Sequence, residues 1–180
     1  MLVTKLVKHC LKYVFSAIFM ISLSSSVFAK DLQRYIDQPE LVGQARLTMF
    51  FFDIYDASLI APQGKFTNEK PFALELTYLR DFDGEDIASR SIDEMRKLGM
   101  KDEMKLAKWY QAMEDIFPNV KEHETITGIV DEQQVSHFYI DDRHLGVVHD
   151  KEFSQWFFSI WLSENTAEPK MREQLLGLVN

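Results

Sequence analysis

The only cysteine of this chain, Cys10, lies within residues 1–29, and those residues read as an export signal that carries it away. Lys5, Lys8 and Lys12 form a basic start, Tyr13 to Leu23 is apolar, and Val27-Phe28-Ala29 is a small-x-small cleavage site before Lys30. The apolar stretch falls short of the ~20 residues a membrane helix needs. Export into a periplasm with cleavage after Ala29 is therefore expected, with no stable membrane insertion afterwards. What folds is then one domain over 30–180, held by burial alone. No disulfide can staple it, and no thiol nucleophile or lipid-modified cysteine remains. Its 151 residues suffice for a single core that removes about 70% of the unfolded surface from water.

The signal takes three lysines and no acid, which moves the net charge from −8 to −11. An acidic domain of this kind argues against nucleic acid and anionic membrane surfaces as partners. Fourteen phenylalanines and no Gly/Ser or Pro tract favour a packed domain over a disordered one. No internal repeat or linker interrupts it.

The run Arg46–Ile60, RLTMFFFDIYDASLI, is aromatic and β-branched between Gly43 and Pro62-Gln63-Gly64, and reads as one strand with room for a single bend. Phe72, Leu74, Leu76 and Tyr78 alternate with Ala73, Glu75, Thr77 and Leu79, the pattern of a strand with one apolar face. Asp83 caps a helix carrying Ile87, Ile92, Met95 and Leu98, ended by Gly99. Leu106, Trp109, Tyr110, Met113, Ile116 and Phe117 form the stripe of a second helix, stopped by Pro118. Strands follow at Thr125–Val130, Val135–Ile140 and Arg143–Val148, the last two joined by Asp141-Asp142. Asp150 then caps a helix with the stripe Phe153, Trp156, Phe157, Ile160 and Trp161, and Thr166 with Pro169 opens a last one. Grouped strands and grouped helices predict an α+β domain, helices laid on an antiparallel sheet.

No GxGxxG, P-loop, GxSxG, HExxH or EF-hand spacing occurs. His137 and His144 fall near one another in the hairpin register, without an evident third ligand, so a solvated sheet face is expected there and no metal. The acid pairs Glu85-Asp86, Asp93-Glu94 and Asp141-Asp142 fit capping and solubility better than acid–base chemistry. The aromatic helix stripe reads as core, with a pocket wall as its other use. Arg46, Tyr55, Tyr78 and Arg80 stand out because each puts a polar tip in or just past an apolar strand segment. An arginine beside a tyrosine hydroxyl clamps a carboxylate or phenolate. The alternative is a structural ion pair, such as Arg80 with Asp81, Asp83 or Asp86.

Three stretches, GQARLTMFFFDIYDASLIAP from Gly43, PFALELTYLRDFDGEDIASRSIDEM from Pro71 and FFSIWLSENTAEPKMREQLLG from Phe157, together resemble the chalcone isomerase-like family, in particular its bacterial exported branch. The resemblance implies an open-faced β-sandwich, a large antiparallel sheet covered by a layer of helices. Its plant enzymes close a chalcone to a flavanone without a cofactor, using an arginine, a threonine, a tyrosine and an asparagine. Other members lack that activity and bind fatty acids, keeping the arginine and replacing the threonine by tyrosine. Tyr55 falls at that threonine/tyrosine position and matches the binders. Arg46 is the nearest match for the arginine, though closer to Tyr55 than the plant pattern has it; on an unbroken strand the nine residue steps from one to the other span ~30 Å. The enzyme tyrosine is replaced by Ile87 and the asparagine by Glu94 or a neighbour, and Arg80 matches a position just before the helix.

The resemblance thus implies a cofactor-free binder of a small amphipathic, fatty-acid-like molecule, with Arg46 or Arg80 on its anionic end and Tyr55 or Tyr78 donating a hydrogen bond. An isomerase or intramolecular lyase of chalcone type is the enzyme alternative. A protein-interaction module, its cleft filled by Phe and Trp side chains, is the third.

Overall fold

The computed structural model describes residues 32–179; the signal expected over 1–29 and its cleavage site lie outside the described residues. Six strands, β1 (Pro39–Met49), β2 (Phe52–Pro62), β3 (Phe72–Tyr78), β4 (Thr125–Val130), β5 (Ser136–Ile140) and β6 (Arg143–Val148), pair antiparallel in sequence order. Among the described residues four helices, α1 (Gly84–Lys97), α2 (Glu103–Ile116), α3 (Lys151–Leu162) and α4 (Pro169–Leu175), join this sheet in an α+β fold.

The period-2 pattern decides which face the helices cover. Ala57 and Leu59 of β2, Leu74, Leu76 and Tyr78 of β3, and Ile126 and Val130 of β4 are buried together with Met95, Trp109, Phe153 and Phe157 from the helices. Aromatic rings set the spacing of the layers: Phe138 of β5 meets Phe117 and Phe157 edge to face, at centroid distances of 5.1 and 5.4 Å. Helix α2 starts on Asp102, whose carboxylate accepts from the N–H groups of Met104 and Lys105, and α3 starts on Asp150 in the same way. Asp83 begins α1 without such a bond; the Gly84 N–H donates to Asn119 Oδ1 instead, 3.0 Å away. Helix α4 lies against β1 at Gly43, where a Cβ would stand 2.1 Å from the Gln174 carbonyl oxygen. Only a glycine admits that approach.

Two expectations are corrected. The run Arg46–Ile60 is not one strand: it turns at Phe50-Phe51, and β1 folds back along β2 with Leu47 opposite Tyr55. The face around His137 is not open to water either. Leu32 and Ile36 pack on it against Ala73, Ile129 and Tyr139. The Tyr35 ring lies 4.7 Å from the His137 ring, and the Tyr35 and Tyr139 hydroxyls share a hydrogen bond of 2.9 Å. His137 Nε2 meets Asp131 Oδ2 at 2.9 Å, while His144 stands edge-on to Tyr139. Among the described residues no group of three metal-ligating side chains forms, and no helix is long and apolar enough to cross a membrane.

Candidate functional site

Between the β1–β3 end of the sheet and helices α1, α3 and α4 lies a cavity of about 350 Å³, in the range of small-ligand pockets. Its walls are apolar: Leu47, Leu76 and Ile126 from the sheet, Phe157 and Ile160 from α3, Met171 from α4. The interaction-module reading required this space to be filled, and it is not.

Strand parity explains the sheet contribution. On β1, Ala45, Leu47 and Met49 turn inward while Gln44, Arg46 and Thr48 turn outward. Between the pairs Leu47–Tyr55 and Thr48–Asp53, β2 carries one extra residue, Ile54. A bulge of this kind re-aims side chains, and Ile54 and Tyr55 both line the cavity. Tyr78, directly opposite Tyr55 on the neighbouring strand β3, presents its ring beside it, the centroids 6.0 Å apart and near perpendicular.

The two tyrosines differ in how their hydroxyls are satisfied. Trp161 Nε1 donates to the Tyr55 oxygen at 2.9 Å. An indole N–H can only donate, so the Tyr55 proton remains free to be given to a third group. Tyr78 is 4% exposed, and its hydroxyl makes no hydrogen bond to any described residue. Burial pushes the Tyr55 phenol up to about 12; the Trp161 bond and the Arg90 charge act against that, while Glu168 and Glu94 add to it. Burial, with the neighbouring Tyr55, raises Tyr78 as well. Both phenols therefore stay protonated donors at neutral pH.

The charged residues of the lining come from helix ends and one helix face. Asp86, Ile87, Arg90, Ser91 and Glu94 recur at i, i+1, i+4, i+5 and i+8 along α1, one stripe of its surface, and all line the cavity. Ser91 is already occupied, donating to the Ile87 carbonyl at 2.8 Å. Among the described residues Arg90 is the one cation in the lining. It reaches Glu94 Oε1 at 2.7 Å, and Lys97 reaches the same oxygen at 3.0 Å.

Of the residues singled out in the sequence, Tyr55 and Tyr78 come together in the cavity and the two arginines do not. The turn at Phe50-Phe51 brings Arg46 level with Asp56, but on the outer face. There its guanidinium holds Asp56 at 2.6 and 2.8 Å and Asp53 at 2.9 Å. Arg80 is exposed, its guanidinium 4.7 Å over the Phe52 ring. The ion pair expected for it goes elsewhere, since Asp81 takes Lys121 at 2.8 Å. Sequence reasoning missed Arg90. The available signal was its place on the helix: it lies three residues from Ile87 and four from Glu94, the two positions matched to the enzymes' tyrosine and asparagine, and so on the same stripe.

Comparison with known proteins agrees with this architecture. The model of the chalcone isomerase-like family matches residues 20–177. An uncharacterized protein of Haemophilus influenzae is 28% identical over 137 residues, covering 76% of this chain and 67% of that protein. The crystal structure of a fatty-acid binding protein of Arabidopsis thaliana aligns with a TM-score of 0.61 at 15% identity, over 79% of this chain and 88% of that one. At that identity the likeness is one of fold. Six antiparallel strands under a layer of helices and a family match over nearly the whole described chain lead to one assignment: the chain belongs to the chalcone isomerase-like family.

Proposed function

We propose that this protein is an exported, non-catalytic binder of a small amphipathic ligand of the fatty-acid type, working in the periplasm. The observation that carries the reading is the cavity's polarity: apolar walls, two protonated phenols with unused donors, and one arginine. An acyl chain fits the walls, and a carboxylate fits the donors, since charge-assisted hydrogen bonds to Arg90, Tyr55 and Tyr78 replace its hydration. The fold shared with the fatty-acid binding protein of Arabidopsis thaliana supports the same reading. A chalcone-type isomerase is less well supported, because it needs an amide donor beside the tyrosine and the lining residues include no Asn or Gln.

Native mass spectrometry of the protein purified from its own cells tests this. A co-purifying mass of a few hundred daltons is expected, lost in Arg90→Ala and kept in Arg46→Ala, because Arg46 lies on the outer face. An apo mass in the wild-type protein, together with no uptake of added long-chain fatty acid, refutes the binder.

A further inference from the structure

The hairpin between β1 and β2 has a two-residue loop, since Met49 pairs with Phe52 and only Phe50 and Phe51 lie between them. Both take positive φ, 48° and 73°. That is the signature of a type I′ turn, where Asn-Gly is the favoured pair and a bulky side chain strains the backbone. Packing does not offset the strain: Phe50 is 85% exposed, Phe51 100% and Phe52 58%. A turn that weakens the fold while holding its rings in water points to a use outside the chain.

We propose that this tip is a lipid-contacting wedge that seats the mouth of the cavity on a zwitterionic bilayer. Position is the first argument, because Met49, directly before the three rings, and Ile54, two residues after them, line the cavity. Charge is the second. Beside the tip Arg46 and Arg80 match Asp53 and Asp56 in number, so the hairpin end carries no net charge although the chain as a whole stands at −8. Arg80, exposed behind the Phe52 ring and without an ion pair among the described residues, is placed to meet a lipid phosphate. Size and chemistry separate a bilayer from a protein partner. The three rings offer roughly 500 Å², taking 150–250 Å² for an aromatic side chain, below the ~800 Å² per partner of a stable protein interface. Apart from Arg80, the polar side chains beside them are turned on one another, Thr48 Oγ1 to Asp53 at 2.7 Å and Arg46 to Asp53 and Asp56, so the rim offers a protein partner little beyond that one guanidinium. Exposed rings backed by a single cation suit the acyl boundary of a bilayer, entered to ~5–10 Å, with the guanidinium at the headgroups. The docking stands by itself; its use, passing ligand between membrane and cavity, rests on the binder reading above.

The test is flotation of the purified protein with phosphatidylcholine vesicles, comparing the wild type with the double variant Phe50→Asn/Phe51→Gly. Restoring the favoured turn pair raises Tm by roughly 2–6 °C, so a loss of binding is not a loss of fold. Partitioning onto vesicles is expected to fall at least tenfold in the double variant and a fewfold in Arg80→Gln. Fatty-acid binding in vesicle-free solution is expected to be unchanged in both, which keeps this outcome distinct from failure of the binder. Equal partitioning of wild type and double variant overturns the proposal. So does absence of vesicle binding by the wild type, or a concentration-dependent dimer that forms without lipid and is lost in the double variant.

Discussion

The two cavity tyrosines should respond in opposite directions to the same chemical change. Tyr55→Phe removes the acceptor that the Trp161 N–H has among the described residues, on a side chain that is itself buried. A buried donor left unpaired costs about 1–2 kcal/mol, or a fall in Tm of roughly 3–6 °C for a domain of this size. Tyr78→Phe removes a hydroxyl that satisfies no described residue, so stability should be unchanged or rise by up to about 1 kcal/mol. The rings keep their edge-to-face contact at 6.0 Å in either variant, and no packing term confuses the comparison. Urea denaturation at pH 7 with unchanged m-values reads both effects. At high pH the order converges. Because burial raises the Tyr55 phenol to about 12, its contribution is fully present below the ordinary tyrosine value of about 10. It is lost as pH rises through the folded value, so the wild type declines over that window more steeply than Tyr55→Phe. Fatty-acid titration should rank the variants differently: Tyr78→Phe, stable, weakens binding by roughly 5–10-fold for one lost donor. A Tyr78→Phe protein destabilised as much as Tyr55→Phe refutes the assignment of donors and acceptors in the cavity.

Two further outcomes follow from charges away from the ligand. Glu75, on the outer face of β3 opposite Ser58 and Thr127, has its carboxyl raised by burial; such a group contributes stability only while protonated, and the contribution is lost as pH rises. Glu75→Gln is therefore more stable than wild type in denaturant at pH 7, and the gain disappears below the ordinary glutamate value of about 4.3. Lys97→Met leaves Arg90 as the sole partner of Glu94, and isothermal titration should show fatty-acid affinity falling about threefold to tenfold although Lys97 does not line the cavity.

Elements whose period is uniform were legible in the sequence. Strands β4 and β6 keep the boundaries read from the sequence, and α1 and α2 end within a residue of their apolar stripes and begin three residues before them. The hairpin β1–β2 was hidden because its turn is Phe-Phe inside an apolar run, without the Asn or Gly that announces positive φ. That single turn also hid the fate of Arg46. A strand read as continuous gives a distance to Tyr55 but not a face, and a face is what parity and register decide. The tyrosines were legible for the opposite reason: a phenol amid Leu, Ile and Ala on a strand has to go inward with its oxygen. Arg90 was not, since an arginine in a charged amphipathic helix looks like every other solvated one until the helix is set on the sheet. The packing of Leu32 and Ile36 over the outer face was equally invisible, because a short apolar pair without period carries no sheet address.

How Arg90 can serve a ligand follows from its neighbours. Glu94 is 8% exposed, and a carboxylate so placed is costly to leave without a cation. If Arg90 were its only partner, turning the guanidinium toward an incoming carboxylate would strand that charge, and the stranded charge would cancel much of the new attraction. Lys97 changes the balance. Its ammonium sits 3.0 Å from the same Oε1 atom that Arg90 touches at 2.7 Å, from an exposed position one turn along α1 where it is free of the cavity. Glu94 thus stays compensated whichever way Arg90 turns. An arginine fixed between two acids, as Arg46 is between Asp53 and Asp56, has no such freedom: both carboxylates lose their cation if it leaves. The difference between a structural arginine and a recruitable one in this fold is therefore the presence of a second cation on the acid it would have to abandon, and by that criterion α1 rather than β1 holds the arginine that an anionic ligand of the proposed kind would recruit.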